Sequence, residues 1–289
     1  MQNNTEIHGE ELHNDIEICA VCDFLQENFG ISIAENKYYL VKTKLKPLLV
    51  KYELRTFGQL LKQLLSGKVA SLRQEVADLM ATNETFWFRD QYPYEYLKKV
   101  ILPKLASSRS SHQEIRIWSM ACSSGQEPYS ISMIASEWMS EAKDNKQMQI
   151  MPVRILATDL SSKMIDYAKV GVYDKFSMTR GLDEKRKYRF FEQESANRWR
   201  IDSALRSRIE FRQFNLLNDF SLLGKFDIIF CRNVLIYFTP QLKQLILRRI
   251  SSSLRDSGCL VLGSSEGINE SEKYFNMLQT NPGVIFQKK

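Results

Sequence analysis

The chain has 289 residues, 44% of them hydrophobic, with 40 Lys and Arg against 34 Asp and Glu for a formal charge of +6. That length supplies a buried core for one large domain or two unequal ones. The modest positive excess suits an acidic partner surface and does not by itself imply nucleic acid. Five cysteines (Cys19, Cys22, Cys122, Cys231, Cys259) are an odd number in a long chain, and Cys231 and Cys259 sit in apolar runs. This suits a reducing cytosol better than a disulfide scaffold. The polar, acidic start carries no signal pattern, and no apolar run reaches the length of a membrane span. The expectation is a cytoplasmic protein with no direct membrane insertion.

In chain order, residues 1–14 read as a polar, flexible tail. Residues 15–82 read as a helical domain, with Tyr38, Val41, Leu45, Leu48 and Tyr52 on one stripe at helical spacing. Pro47 falls inside that stripe, which predicts a kink or a break. From Ile115 onward the pattern changes. Strands are expected at Ile115–Ala121, Arg154–Leu160, Ile209–Leu216, Phe226–Val234, Cys259–Ser264 and Gly283–Gln287. Helices are expected over Pro128–Lys143, Ser162–Val170 and Pro240–Leu254. Strands alternating with helices predict βαβ units and a mostly parallel sheet, an α/β fold. The long connection from Gly171 to Arg208 exceeds an ordinary loop and predicts an inserted subdomain. A helix near Leu182–Phe190 and a hairpin pairing Phe190–Glu194 with Arg198–Asp202 fill it. No internal repeat is visible.

The first strand runs into Cys122-Ser123-Ser124-Gly125-Gln126-Glu127-Pro128. Small residues, one Gly and then Pro in the first helical turn make a tight strand-to-helix turn, where backbone approaches a ligand closely. Dinucleotide folds usually carry three glycines here, so an ordinary βα turn is an equal reading. The second strand ends Ala157-Thr158-Asp159-Leu160-Ser161. A carboxylate at that position offers two acceptor oxygens to ribose hydroxyls, although Asp159 also precedes a helix and could cap it. The interior of the fourth strand is apolar, Arg232 and Asn233 then appear abruptly at its C-terminal end, and the third offers Asn215 at a similar height. Three strands with polar tips in one layer point to the ligand end of an open α/β sheet.

At this point the residues match a family. Asn83-Glu84-Thr85-Phe86-Trp87-Phe88-Arg89-Asp90 resembles the N-E-T-x-F-F-R signature of the chemotaxis receptor methyltransferases, the CheR family. Ala121 to Ser130 is similar to its glycine-turn motif, and Phe230 to Phe238 resembles its fourth-strand motif almost residue for residue. The resemblance covers about residues 15 to 289. It implies a small N-terminal all-helical domain for receptor recognition (15–82). It also implies a Rossmann-like class I methyltransferase domain dependent on S-adenosyl-L-methionine (83–289), with a small β-containing insertion at about 171–208. It implies that Asn83, Thr85, Arg89, Glu127, Asp159, Asn215, Leu216, Arg232 and Asn233 line the cofactor site. Arg89 and Tyr237 are implied to lie near the transferred methyl group as the catalytic pair. No metal is implied. The product cofactor is S-adenosyl-L-homocysteine, and the expected state is a monomer.

The implied partners are the cytoplasmic domains of transmembrane chemoreceptors, methylated on glutamate side chains, with no nucleic acid. Departures from the family pattern are mild: Met120-Ala121, Gln126 and Trp87. A larger one lies in the insertion, where some members grip a receptor C-terminal peptide through a longer, glycine-bearing loop. Here Gln193-Glu194-Ser195-Ala196-Asn197 is short and lacks Gly, which speaks against that tether.

A glutamate acceptor is ionised at neutral pH, with a pKa of about 4.3, so no general base is required. The only histidines are His8, His13 and His112, none in a candidate motif. Arg89 is expected to orient cofactor or substrate and Tyr237 to shape the methyl pocket. On residue type alone Arg89 is equally a helix cap or a surface partner of Asp90, Tyr237 a core residue, and Phe86-Trp87-Phe88 interdomain packing. From Lys37 to Arg55, six basic side chains (Lys37, Lys42, Lys44, Lys46, Lys51, Arg55) face one acidic residue, Glu53, a net of +5. Such charges usually solvate a helix; the resemblance implies contact with acidic receptor helices. Two rival functions are an RNA or other protein methyltransferase and a non-catalytic module that binds the cofactor. Against the first, Arg232-Asn233-Val234-Leu235 stands where amino-group methyltransferases commonly carry Pro-Pro-aromatic. The Cys19-x-x-Cys22 pair lacks the second pair or histidines that a zinc site needs.

Overall fold

The computed structural model describes residues 2–109, 113–144 and 149–289, leaving aside the side chains of residues 2–14, 269 and 270. Four helices form the N-terminal part: α1 (Gln2–Phe29), α2 (Tyr38–Lys51), α3 (Phe57–Ser66) and α4 (Ala70–Met80). Residue 1 and the side chains of the expected tail over 1–14 lie outside the described residues; the backbone from Gln2 belongs to α1. Ile18, Val21, Leu25, Val41, Leu45, Leu60, Leu72 and Val76 meet in one core. Leu45 is fully buried there, so its truncation to Ala costs about 2–5 kcal/mol. The α2 stripe packs as its spacing predicts: Val41, Leu45 and Leu48 are buried, and Tyr38 and Tyr52 flank them. The expected break at Pro47 does not occur, for α2 runs through it. Pro47 and Thr43, whose carbonyl loses its donor, are both exposed, so the lost bond lies on the solvent side of the helix.

A short helix α5 (Tyr92–Tyr96), a wide turn over Leu97–Ile101 and α6 (Leu102–Ser107) lead into the sheet domain. Its elements are β1 (Ile115–Met120), α7 (Gln126–Asp144), β2 (Val153–Asp159) and α8 (Ser162–Val170). The insertion follows with β3 (Val172–Asp174), α9 (Lys175–Thr179), α10 (Glu184–Phe190), β4 (Phe191–Ser195), β5 (Arg198–Ile201) and α11 (Ser203–Arg206). The chain returns to the sheet through β6 (Ile209–Gln213), β7 (Phe226–Cys231), α12 (Pro240–Ser253), β8 (Leu254–Leu262), β9 (Phe275–Gln279) and β10 (Val284–Lys288). The seven-stranded sheet has the order β6-β2-β1-β7-β8-β10-β9. Its first five strands pair in parallel, and β10 is antiparallel to both neighbours. Strand alternation sends Ile117, Ile228, Phe230 and Val261 into one core, and Trp118, Met120, Ile229, Cys231 and Leu260 into the other.

Several boundaries differ from the sequence expectation. The third parallel strand stops at Gln213, so Asn215 and Leu216 lie on the loop after it, and β7 stops at Cys231, before Arg232. Strand β8 starts at Leu254, directly out of α12, and β9 was not expected. In the insertion, β3 joins the expected hairpin in a three-stranded sheet of order β3-β5-β4. Successive strands run outward from β1 through β2 to β6, then restart at β7. The switch point, and with it the ligand crevice of such a sheet, lies between the C-terminal ends of β1 and β7.

Candidate active site

The β1–α7 turn brings backbone N–H groups to the crevice. Ala121, Ser123 and Gly125 all have positive φ (53°, 48° and 95°). A side chain at Gly125 would meet the Ala168 Cβ at 2.9 Å and the Tyr173 hydroxyl at 3.0 Å, so Gly allows α7 to start close against α8 and the insertion. The Ser123 N–H donates to Asp159 Oδ2 at 2.8 Å, and the Ser161 N–H donates to Oδ1 at 2.8 Å. Burial pushes the Asp159 carboxyl above the usual range, and these backbone donors only partly offset it. Each oxygen keeps acceptor capacity beyond its one backbone partner. Helix α8 is capped by Ser161, whose Oγ accepts from the Met164 N–H; Asp159 is therefore not the cap.

Glu127, in the first turn of α7, accepts from Ser119 Oγ at 2.7 Å and from Arg232 Nη1 at 3.3 Å. Burial raises its pKa, with Arg232 and Ser119 opposing. The Arg232 side chain is only 1% exposed. Its Nη2 donates to Asp90 Oδ2 at 2.6 Å and to the Arg89 carbonyl at 2.9 Å. Arg232 therefore fastens the Asn83–Arg89 segment to the sheet, and Asp90 is its partner rather than that of Arg89. The Arg89 guanidinium has no carboxylate partner among the described residues. It reaches the Glu84 carbonyl at 3.4 Å and lies 5.3 Å from the Phe86 ring centroid.

The same segment is gripped by the insertion. Trp87 is buried, donates through Nε1 to the Ser177 carbonyl, and meets Tyr173 and Phe191 edge-on. Trp87 and Phe88 are packing residues, whereas Phe86 lines the crevice. The helical domain closes the other side. Gln74 donates to the Leu160 carbonyl at 3.2 Å, Asp78 accepts from Ser161 Oγ at 2.7 Å, and the Ser32 N–H donates to the Tyr237 carbonyl at 3.1 Å. Asn215 turns toward this domain: its Nδ2 donates to the Asn28 carbonyl at 2.7 Å.

A cavity of about 1000 Å³, counting the part open to solvent, results. All ten residues singled out from the sequence line it: Asn83, Thr85, Arg89, Glu127, Asp159, Asn215, Leu216, Arg232, Asn233 and Tyr237. The sequence reading missed the helical domain's share of the wall, Phe29, Ile31 and Met80; their apolar character only marked them as core. It also missed Glu266, which accepts four backbone N–H groups, from Asn233, Val234, Leu235 and Gly263. Its place three residues after Gly263 was the only signal.

The residues present fit an adenosyl sulfonium cofactor. Asp159 retains acceptor capacity for ribose hydroxyls, Phe214, Leu216 and Val234 offer apolar surface, and Arg89 is a cation free of carboxylates. A sheet of this order with such a crevice at its switch point defines a Rossmann-like S-adenosylmethionine-dependent methyltransferase. The family model described as CheR methyltransferase, SAM binding domain, matches residues 83–284, and that described as CheR methyltransferase, all-alpha domain, matches residues 16–81. The chain is 45% identical to chemotaxis protein methyltransferase Cher2 of Pseudomonas putida over 92% of its own length and 95% of the relative's. It is 41% identical to chemotaxis protein methyltransferase 1 of Vibrio cholerae over 96% of this chain and 98% of that one. The chain belongs to the CheR methyltransferase family. Its activity is S-adenosylmethionine-dependent methylation in chemotaxis. Among the described residues no helix is long and apolar enough to cross a membrane.

Proposed function

We propose that the chain forms methyl esters on glutamate side chains of chemoreceptor cytoplasmic domains, and so works in the cytoplasm. One observation carries this reading: among the described residues, every carboxylate that lines the crevice with Arg89 and Tyr237 already has a partner. Its buried carboxylates, Glu127 and Asp159, are engaged by Ser119, Arg232 and backbone N–H groups, and Glu84 is paired with Arg180 at 3.1 Å. An acceptor that must lose a proton is poorly served there; a carboxylate, already ionised at neutral pH, is not.

When bound, S-adenosylmethionine supplies an electrophilic methyl group and leaves as S-adenosylhomocysteine. Asp159 accepts the ribose hydroxyls. Glu127 is held in place by Ser119 and Arg232 and completes the polar wall. Arg89, free of carboxylates, orients an anionic group of cofactor or substrate. Tyr237 shapes the space in which the acceptor oxygen meets the methyl carbon, at a near-attack separation of about 3–3.5 Å. The reaction neutralises an anion and a cation, so a strong charged clamp on the carboxylate would favour the ground state. The half-buried Arg89 suits orientation better than such a clamp.

Receptor docking falls to the lysines that flank the apolar stripe of α2. Lys42 and Lys51 are paired with Asp15 and Glu75, each at 2.7 Å, while Lys44 and Lys46 have no carboxylate partner among the described residues. Incubation with labelled S-adenosylmethionine and receptor-containing membranes tests the reading. Label should enter the receptor band and be released as methanol by mild base. Label stable to base, or label on RNA instead, rejects it.

A further inference from the structure

We infer that Glu266 is a positioning residue for methyl transfer, acting on Tyr237 through the backbone of the β7 exit loop. After β7 the chain leaves the sheet through Arg232, Asn233 and Val234, then makes a single 3₁₀ turn, Leu235–Tyr237. Asn233 has φ of 58°, a left-handed conformation that costs an L-residue energy and persists only when its surroundings hold it. The successive N–H groups of Asn233, Val234 and Leu235 consequently converge, a concavity suited to an anion. Glu266 fills it. Its Oε2 accepts from Asn233 at 2.6 Å and from Gly263 at 2.8 Å, and its Oε1 accepts from Val234 at 3.0 Å and Leu235 at 2.8 Å.

Both carboxylate oxygens are thus used twice, all four times on backbone. The Gly263 bond ties the clamp to the end of β8, a rigid central strand. Tyr237 follows two residues after the last clamped N–H, and its carbonyl is held from the other side by Ser32. The phenol is therefore aimed by two backbone anchors, one from the sheet and one from the helical domain. Glu266 itself does not line the cavity that Tyr237 and Asp159 share. Its effect on turnover passes chiefly through the loop, whose Asn233 and Val234 line that cavity, whereas Asp159 on β2, the proposed ribose acceptor, stands apart from the clamp.

Glu266→Gln tests this, because it keeps the shape and sets an NH2 group against two of the four N–H donors. Three readouts decide. Amide exchange at Asn233, Val234, Leu235 and Gly263 should quicken. S-adenosylhomocysteine affinity should fall by a smaller factor than kcat, because Asn233 and Val234 line the cavity while Asp159 does not belong to the clamp. The kcat for receptor methylation should fall about tenfold or more, corresponding to about 1.4 kcal/mol. On a Tyr237→Ala background the same change should add less than about threefold, since the residue it positions is gone. Glu266→Asp, which keeps the charge, should recover part of kcat, and it carries the test if the Gln variant does not fold. An unchanged kcat overturns the inference. So does a parallel loss of kcat, cofactor affinity and thermal stability, which marks general loosening. The kcat arm rests on the glutamate reading. If wild type methylates no receptor, that reading fails, while the exchange and affinity arms still report whether the clamp exists and whether it is separate from ribose binding.

Discussion

The Ser123 N–H donates to Asp159 Oδ2 at 2.8 Å, joining the exits of β1 and β2 through one buried carboxylate. The glycine-turn backbone and the proposed ribose acceptor are therefore one unit. Asp159→Ala should remove charge-assisted hydrogen bonds worth about 1–3 kcal/mol of cofactor binding. Titration calorimetry with S-adenosylhomocysteine should show Kd raised about 5- to 150-fold. Wild-type affinity in the variant would remove Asp159 from the ribose.

Acid should weaken binding and relieve a stability cost of the apoprotein through this same group. Burial raises the Asp159 pKa in the folded chain, with backbone donors opposing. The native state then binds this proton more tightly than the unfolded chain does. The group costs the apoprotein stability above its folded pKa, and acidification between that value and the ordinary one, about 3.9, relieves the cost. Protonation replaces an acceptor with a donor, so cofactor affinity should decline as pH falls through the raised folded value. The rise in Tm on adding S-adenosylhomocysteine, followed from neutral pH downward, should shrink before an ordinary carboxylate would titrate. A constant rise down to about pH 4 would contradict this.

Gly181 has φ of 80°, and a Cβ there would overlap the Trp87 carbonyl oxygen. The Arg180 carbonyl accepts from the Trp87 N–H at 3.2 Å, so this contact holds the insertion to the Asn83–Arg89 segment. Gly181→Ala should cost about 1–3 kcal/mol in denaturant unfolding and weaken cofactor binding as that segment shifts. A variant with wild-type stability and affinity would show that the segment is held elsewhere.

Lys44 and Lys46 are the α2 lysines without a carboxylate partner among the described residues. Replacing both with Ala should slow receptor methylation about three- to tenfold at low salt. The two rates should converge as screening shortens the Debye length below about 8 Å. Parallel salt profiles for variant and wild type would exclude steering by this face.

The parts legible in the sequence are those where one residue type carries one job. Strands β1, β2 and β7 are largely apolar and largely buried, so Asp159 at the end of β2 and Arg232 just past β7 stand out against them. Edge strand β9, Phe275-Asn276-Met277-Leu278-Gln279, has mostly exposed side chains and no clean alternation. The start of β8, with Arg255 and Asp256, reads as a polar helix end, although its backbone already continues the strand. The sequence puts Asn215 on the third strand, Ile209–Leu216, but β6 ends at Gln213, and the last bond to β2 is from the Phe214 N–H to the Asp159 carbonyl at 2.8 Å. Glu266 was invisible for a different reason: its partners are main-chain amides, which leave no mark on residue identity.

A crystal structure of the chain with S-adenosylhomocysteine would test the central claim most directly. The account predicts the ribose within hydrogen-bonding distance of the Asp159 carboxylate, and the sulfur facing the space between Arg89 and Tyr237. Density for the nucleoside outside this crevice, with Asp159 and Tyr237 both distant from it, would contradict the account.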